Sequence, residues 1–439
     1  MKNIFKKAIA YILRIESQLV ISKYKPRIIA ITGSIGKTST KDAVYAVISK
    51  SAYVRKSDKS YNSEIGLPLT ILGIPNGWNN PFRWLLNILK GLWLYIYPHK
   101  YPAWLVLEAG IGKEGDMRRT ASWLKADVVI ITAIGETPAH IEFFPSRKSL
   151  IEEKSSLIKT LKKDGLLILN ADDDDVLEMK TKTKNITLTF GFKEGSNVLA
   201  SADSISYDEN GIPKGVIFRV DEGGDSLPVV IEGVFGRNHI YASLASLALA
   251  LGLKFNMINA IESLKNYDVA PGRMRLLGGL HDTMIIDDTY NSSPFACEAG
   301  LKTLGQVKCS GRKIAVLGDM LELGKHTEEA HKNVGRAAKE NCDVLIVVGP
   351  RAQAIKEGAM EVYPASGGAG MNPGSIFEFL KSSEAGKFME TFVQKGDLVL
   401  VKGSQGMRME RVVEAILFDK ENKKKLLVRQ DDEWLKKNN

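Results

Sequence analysis

The run Gly33-Ser34-Ile35-Gly36-Lys37-Thr38 packs two glycines, a lysine and a hydroxyl into six residues. It lies between an apolar stretch at 27–32 and a helical pattern over 37–50. A strand, a glycine turn and a helix in that order turn backbone N–H groups and a helix N-terminus toward one point, which is how phosphate is held. In such a loop Lys37 reaches the β- and γ-phosphates of ATP and the Thr38 hydroxyl ligates Mg2+, with Gly33, Ser34, Gly36 and Ser39 forming the cradle. The longer form of the pattern has a further glycine where Ile31 stands.

Three more residues are candidates. Glu108 closes the apolar run AWLVLEAG. A carboxylate at the C-terminal edge of a parallel strand beside a phosphate loop suits magnesium. His140 (in IGETPAHIEFF) and Lys154 (in SLIEEKSSLI) carry no such signal by themselves: a lone histidine is more often structural, and a helical lysine is ordinarily surface. No nucleophilic serine or cysteine motif is present. Cys297, Cys309 and Cys342 lack zinc-ligand spacing, and a reducing compartment fits them.

These residues need a scaffold. Apolar runs at 103–108, 127–132 and 166–170 read as strands, with a helical pattern over 150–161 between the last two. Strands alternating with helices predict a parallel sheet covered on both faces. Between 186 and 233 the texture shifts to short β-prone pieces with Gly, Asp and Asn turns, which predicts an antiparallel insertion or sheet edge. A small-residue helix over 240–253 follows, and a boundary near 270–272. Strands at 283–287, 313–317, 344–348 and 398–401 then alternate with helices. The expected fold class is α/β: an N-terminal amphipathic helix (1–26), a central P-loop parallel-sheet domain with a β insertion (27–270), and a Rossmann-like C-terminal α/β domain (271–439).

The segment ITGSIGKTSTK resembles the phosphate loop of the Mur ligase family, and further blocks follow in the family's order. YNSEIGLPLTIL resembles its Asn-rich segment, and 126–157 its metal-binding stretch. APGRMRLL, IIDDTYNSSP, VLGDMLELG and KGSQGMRMERVV resemble its C-terminal blocks, most closely those of the branch that adds D-Ala-D-Ala. The resemblance spans about 27–413. It implies that Lys37, Glu108, His140 and Lys154 are catalytic, with Thr38, Glu108, His140 and a carbamylated Lys154 holding metal. It also implies that Arg273 contacts the nucleotide phosphates, that Asp288 binds the ribose, and that Tyr290 and Asn291 sit beside them. Ser155 and Ser156 stand where the family usually has an acidic residue, and His239 follows Asn238 where the family has the reverse order. Asp319, Glu322, His326, His331, Gly403, Ser404 and Arg408 fall in blocks that face the amine substrate in the family.

The implied activity is ATP-dependent ligation through an acyl phosphate, in peptidoglycan precursor synthesis in the cytoplasm. D-Ala-D-Ala would be joined to UDP-muramoyl-tripeptide or a related precursor. A ligase with a different, lipid-linked acceptor and a P-loop ATPase without ligase activity are the competing readings. Peptidoglycan ligases of the family carry a small UDP-binding domain before the phosphate loop; here about one helix precedes the first strand, so the UDP end is expected to be held otherwise or to be absent.

Composition bounds the rest. The 439 residues are 44% hydrophobic and 25% charged, with net charge +9, and the charges are spread along the chain. No aromatic–basic motif points to nucleic acid, and a monomer is expected. Residues 1–25 read as a basic amphipathic helix, either packed on the body or lying on a membrane surface. Residues 81–97 (PFRWLLNILKGLWLYIY) are aromatic-rich but too short and interrupted to span a bilayer. Either a buried helix or an interfacial one fits them. Together the two segments lean the expectation toward peripheral contact with the inner face of the membrane.

Overall fold

The computed structural model describes residues 2–57, 64–136, 141–222, 224–361 and 370–436. The chain divides into two compact units: Met1–Ser201 with Arg219–Leu227 and Ile240–Asp268, and Ala202–Phe218 with Pro228–His239 and Val269–Asn439.

The chain opens with helix α1 (Lys2–Tyr24), then β1 (Arg27–Thr32), α2 (Lys37–Ser49), β2 (Val54–Lys56), α3 (Gly66–Leu72), α4 (Pro81–Ile96) and β3 (Trp104–Glu108). Next come α5 (Asp116–Ala121), β4 (Ala126–Ile131), α6 (Arg147–Ser155), β5 (Leu161–Asn170) and β6 (Ile186–Gly191). The sheet order starts β2-β3-β1-β4-β5-β6, and these strands all run parallel. β1, β3 and β4 are almost wholly buried aliphatic runs, as a sheet covered on both faces requires. A core of Ile28, Ala30, Leu105, Leu107, Val129 and Leu167 lines one face.

Two local expectations need correction. The helix over 150–161 begins earlier, at Arg147, and tightens into a 3-10 turn at Ser156–Thr160. The Ser155 and Ser156 hydroxyls both donate to the Glu152 carbonyl, at 2.9 and 3.1 Å, and such bonds compete with the α-helical ladder. The region from 186 was expected to be an antiparallel insertion or a sheet edge; its strands do end the sheet, but β6 pairs in parallel with β5, because the helical turns at Asp174–Glu178 and Met179–Lys182 supply a crossover. Only β7 (Val198–Tyr207), β8 (Pro213–Glu222) and β9 (Asp225–Glu232) form a meander. They are neighbours in chain and sheet, joined by short turns, and β7 meets β6 only through a short parallel pairing of Phe190 with Val198 and Gly191 with Leu199.

α1 takes the packed alternative. Its Ile9, Leu13 and Val20 join Leu69 and Leu72 of α3 and Trp84 of α4 in a separate small core. No helix among the described residues is long and apolar enough to cross a membrane.

The second unit holds a six-stranded sheet of order β10-β11-β15-β12-β13-β14. Its strands are β10 (Arg275–Gly278), β11 (Met284–Asp288), β12 (Lys313–Gly318), β13 (Val344–Val348), β14 (Ile376–Phe379) and β15 (Leu398–Lys402). Only β10 is antiparallel to its neighbour.

Candidate active site

In the first unit the sheet order reverses at β1: the chain leaves β1 for β2 and β3 on one side and returns to β4 on the other. That is the switch point at whose carboxyl end parallel sheets bind ligands. The loop 33–36 sits there. Gly33 has φ +146°, and a Cβ on it would fall 2.0 Å from Thr132 Oγ1, so only glycine fits. Gly36 takes φ +82° at the N-cap of α2. The loop is tied to the end of β4: Ser34 N and Ile35 N donate to Ala133 O at 2.7 and 3.1 Å, and Thr132 Oγ1 donates to Ile35 O at 2.6 Å.

The side chains gather around this loop. β1 and β3 are paired in register at Ile31 and Glu108, which places Glu108 beside the loop. Thr38 Oγ1 donates to Glu108 Oε2 at 2.8 Å, and both residues are buried. Lys37 Nζ folds back to Gly33 O at 2.9 Å and Ser34 O at 3.2 Å. Lys154 reaches the same carbonyl from α6, Nζ to Gly33 O at 2.9 Å, although it is 121 positions away in the chain. Burial first, and the neighbouring Lys37 charge second, push the Lys154 ammonium well below the ordinary lysine range. Ser39 is buried in the first turn of α2. The Ser34 hydroxyl is buried with no hydrogen-bond partner among the described residues, an orphan within the phosphate loop.

A hydroxyl and a carboxylate side by side are hard oxygen donors, the set that suits a divalent cation such as magnesium. No group of three or more His, Cys, Asp or Glu that would hold a metal occurs among the described residues. His140 lies outside the described residues. The segment before it is pinned: Asp173 Oδ2 accepts from Ile134 N and Gly135 N at 2.7 and 3.0 Å, and Arg147 donates to Gly135 O.

Sequence reading missed Glu153. It accepts from Met117 N at 2.7 Å and from Arg118 N and Nε at 3.2 and 3.0 Å, so it caps α5 and fixes the helix that carries Lys154. Its only sequence signal is a position next to that lysine.

In the second unit β11 ends at Asp287-Asp288, two carboxylates on opposite faces. Asp287 turns inward, accepting from Gly272 N at 3.0 Å and Thr289 Oγ1 at 2.6 Å, and burial pushes its carboxyl up to about 6. Asp288 Oδ2 meets Lys402 Nζ at 2.6 Å, because β11 and β15 are in register at these two residues. Lys402 also donates to Asn291 O at 3.0 Å. The Arg273 guanidinium lies 4.0 Å above the Tyr290 ring, and the Arg273 carbonyl accepts from His239 Nε2 at 2.8 Å. So Arg273, Asp288, Tyr290 and Asn291 form one group, with Lys402 and His239 as supports. Lys402 was not anticipated; a lysine ending the apolar strand LVLVK was its only signal.

The blocks expected to face the amine are partly structural in this unit. His331 Nε2 accepts from Met320 N at 3.0 Å while Nδ1 donates to Thr327 O at 2.6 Å, which fixes a neutral ring. Arg408 is buried, bonded to Glu410 and to Trp434 O, and so turned inward. Asp319 accepts from Ala352 N at 2.7 Å, and Ser404 Oγ accepts from Leu321 N at 2.8 Å.

A phosphate loop at a switch point, with a threonine–carboxylate pair and a buried lysine, followed by a second α/β unit, defines a class. Residues 92–250 match the Mur ligase middle domain, and residues 272–405 match the Mur ligase glutamate ligase domain. The chain belongs to the Mur ligase family and is an ATP-dependent ligase.

It is similar to the UDP-N-acetylmuramoyl-tripeptide–D-alanyl-D-alanine ligase of Bacillus subtilis, 28% identical over 397 residues that cover 89% of this chain and 76% of the relative. The ligase of the same name from Synechocystis is 29% identical over 396 residues, 89% of this chain and 75% of that one. Among solved structures, the MurF ligase of Thermotoga maritima in complex with ADP superposes with a TM-score of 0.73 at 27% identity, covering 95% of this chain and 84% of that one.

Proposed function

We propose that this protein joins D-Ala-D-Ala to a UDP-muramoyl-tripeptide, with ATP converted to ADP and phosphate, in the cytoplasm. The observation that carries the reading is the cluster of Lys37, Thr38, Glu108 and Lys154 around one phosphate loop, in a chain whose relatives bear that ligase's name.

In the mechanism this reading implies, the peptide carboxylate attacks the γ-phosphorus of ATP, giving an acyl phosphate and ADP. The amine of D-Ala-D-Ala then attacks the acyl carbon, the C–N bond forms, and inorganic phosphate departs with the C–O bond broken. Lys37 and the loop N–H groups offset charge on the transferring phosphoryl group. Thr38 and Glu108 would hold magnesium, with His140 and Lys154 toward a second ion; the metal supplies charge neutralisation at the phosphates. The lowered proton affinity of Lys154 supports carbamylation, since only the neutral amine takes up CO2. The carbamate turns a cation into an oxygen ligand. The resemblance to the family supports a nucleotide role for Arg273, Asp288, Tyr290 and Asn291, which group together within the second unit.

The test is phosphate release with ATP and magnesium, giving or withholding each of UDP-muramoyl-tripeptide and D-Ala-D-Ala. Release that requires both, with the pentapeptide found by mass spectrometry, is expected. Release indifferent to both identifies an ATPase and overturns the reading.

A further inference from the structure

α4 is unusual for a surface helix. Its Trp84, Asn87 and Gly91 face inward, and the bare Gly91 lets the Glu16 carboxylate of α1 come within 2.3 Å of where a Cβ would stand. The opposite face carries Phe82, Leu85, Leu86, Leu89, Trp93 and Ile96, each between 53% and 77% exposed. At about 100° per residue these six fall within a single stripe. A continuous apolar stripe of that length on a protein surface marks an interaction site.

The helix is held rigidly from behind. Lys23 Nζ donates to the Tyr95 and Tyr97 carbonyls, at 2.6 Å each, and Tyr24 Oη donates to Leu94 O at 2.9 Å. The stripe is therefore a fixed feature and not a frayed end.

Charge decides what covers it. Between Glu64 and Glu108 the sequence has no acidic residue, while Arg83 and Lys90 are both exposed. On the helical wheel both fall roughly a quarter turn to the same side of the stripe, where long cationic side chains extend to headgroups. Trp93, Tyr95 and Tyr97 cluster at one end, residue types that settle at the water–lipid boundary. A second copy of the chain would set Arg83 and Lys90 against the same two cations, and α4 itself carries no acidic residue to offset them. A 16-residue helix is also short of the roughly 20 residues needed to span a bilayer. We propose that α4 docks flat on an anionic lipid bilayer, apolar stripe down, with Arg83 and Lys90 at the headgroups.

The test is flotation of the full chain with vesicles of phosphatidylcholine alone or with roughly one-third phosphatidylglycerol, at low and high salt. Binding to the anionic vesicles is expected at least about ten-fold tighter than to the neutral ones, and weaker in salt. Leu86→Asp with Leu89→Asp should abolish binding while the melting curve stays that of the parent. Arg83→Glu with Lys90→Glu should remove the preference for anionic lipid. No flotation, or flotation untouched by both double variants, overturns the proposal. So does a dimer seen by light scattering that the leucine variants dissociate without any vesicle binding; that result assigns the stripe to a second copy.

Discussion

The Thr38 hydroxyl donates to Oε2 of Glu108 at 2.8 Å, joining the first turn of α2 to the carboxyl end of β3, 70 positions along the chain. Their contact makes a ready oxygen site for a hard cation beside the phosphate loop. Glu108→Gln preserves shape and removes the charge. Turnover measured as ADP release should fall by about 100-fold or more, with the melting temperature little changed. Unaltered turnover would take Glu108 out of the metal's coordination.

Gly33 tests the loop itself. Its positive φ and the 2.0 Å approach to Thr132 Oγ1 leave no room for a methyl group. Gly33→Ala must displace Thr132, which ties the loop to β4 through its bond to Ile35 O. ATP affinity, followed by titration calorimetry, should drop by about ten-fold or more. An alanine variant that binds ATP normally would show that the loop does not need this conformation.

Lys154 is buried beside Lys37, and burial first and that charge second lower its proton affinity, which favours the neutral amine. Carbamylation should appear as a carbamate resonance in 13C NMR after incubation with labelled bicarbonate. The resonance should be lost in Lys154→Ala, with turnover down by about 100-fold. Stripping CO2 should lower parent activity reversibly. Parent protein with no carbamate signal and full activity without CO2 would refute the assignment.

Asp288 and Lys402 form a largely buried ion pair, 14% and 2% exposed. Removing one partner strands the other charge, so Lys402→Met should cost about 3 kcal/mol, read as a lower denaturation midpoint. Adding Asp288→Asn should return part of that loss. If the single variant is neutral, the pair is dispensable to the second unit's fold.

Glu16 gives a pH signature. Burial against α4 raises its carboxyl from 4.5 to about 7, and Oε2 has no hydrogen-bond partner among the described residues. The folded protein then binds more protons than the unfolded chain across this window. The contribution to stability is full below pH 4.5 and fades as pH climbs through about 7. Glu16→Gln should flatten that slope and stabilise the protein by ~1–3 kcal/mol at pH 8. Melting curves across pH that keep the parent's slope in the variant would exclude Glu16 as its source.

What the chain's order of residues determines is local. β1 and β13 lie where apolar runs bounded by turns placed them, and α2 begins at Lys37 after two glycines, because pattern and turn chemistry act over a few residues. The acid-free stretch around α4 is likewise written in the sequence. Tertiary structure alone decides the rest. The parallel pairing of β6 depends on a crossover, and the Asp288–Lys402 contact depends on strand register between segments 114 positions apart. Lys154 reads as a surface lysine until the fold carries it to Gly33. Two amphipathic helices part ways: α1 buries Ile9, Leu13 and Val20 in a core with residues of α3 and α4, while α4 leaves its apolar stripe in the open. Periodicity defines a face, but only the packing of distant elements determines whether anything covers it.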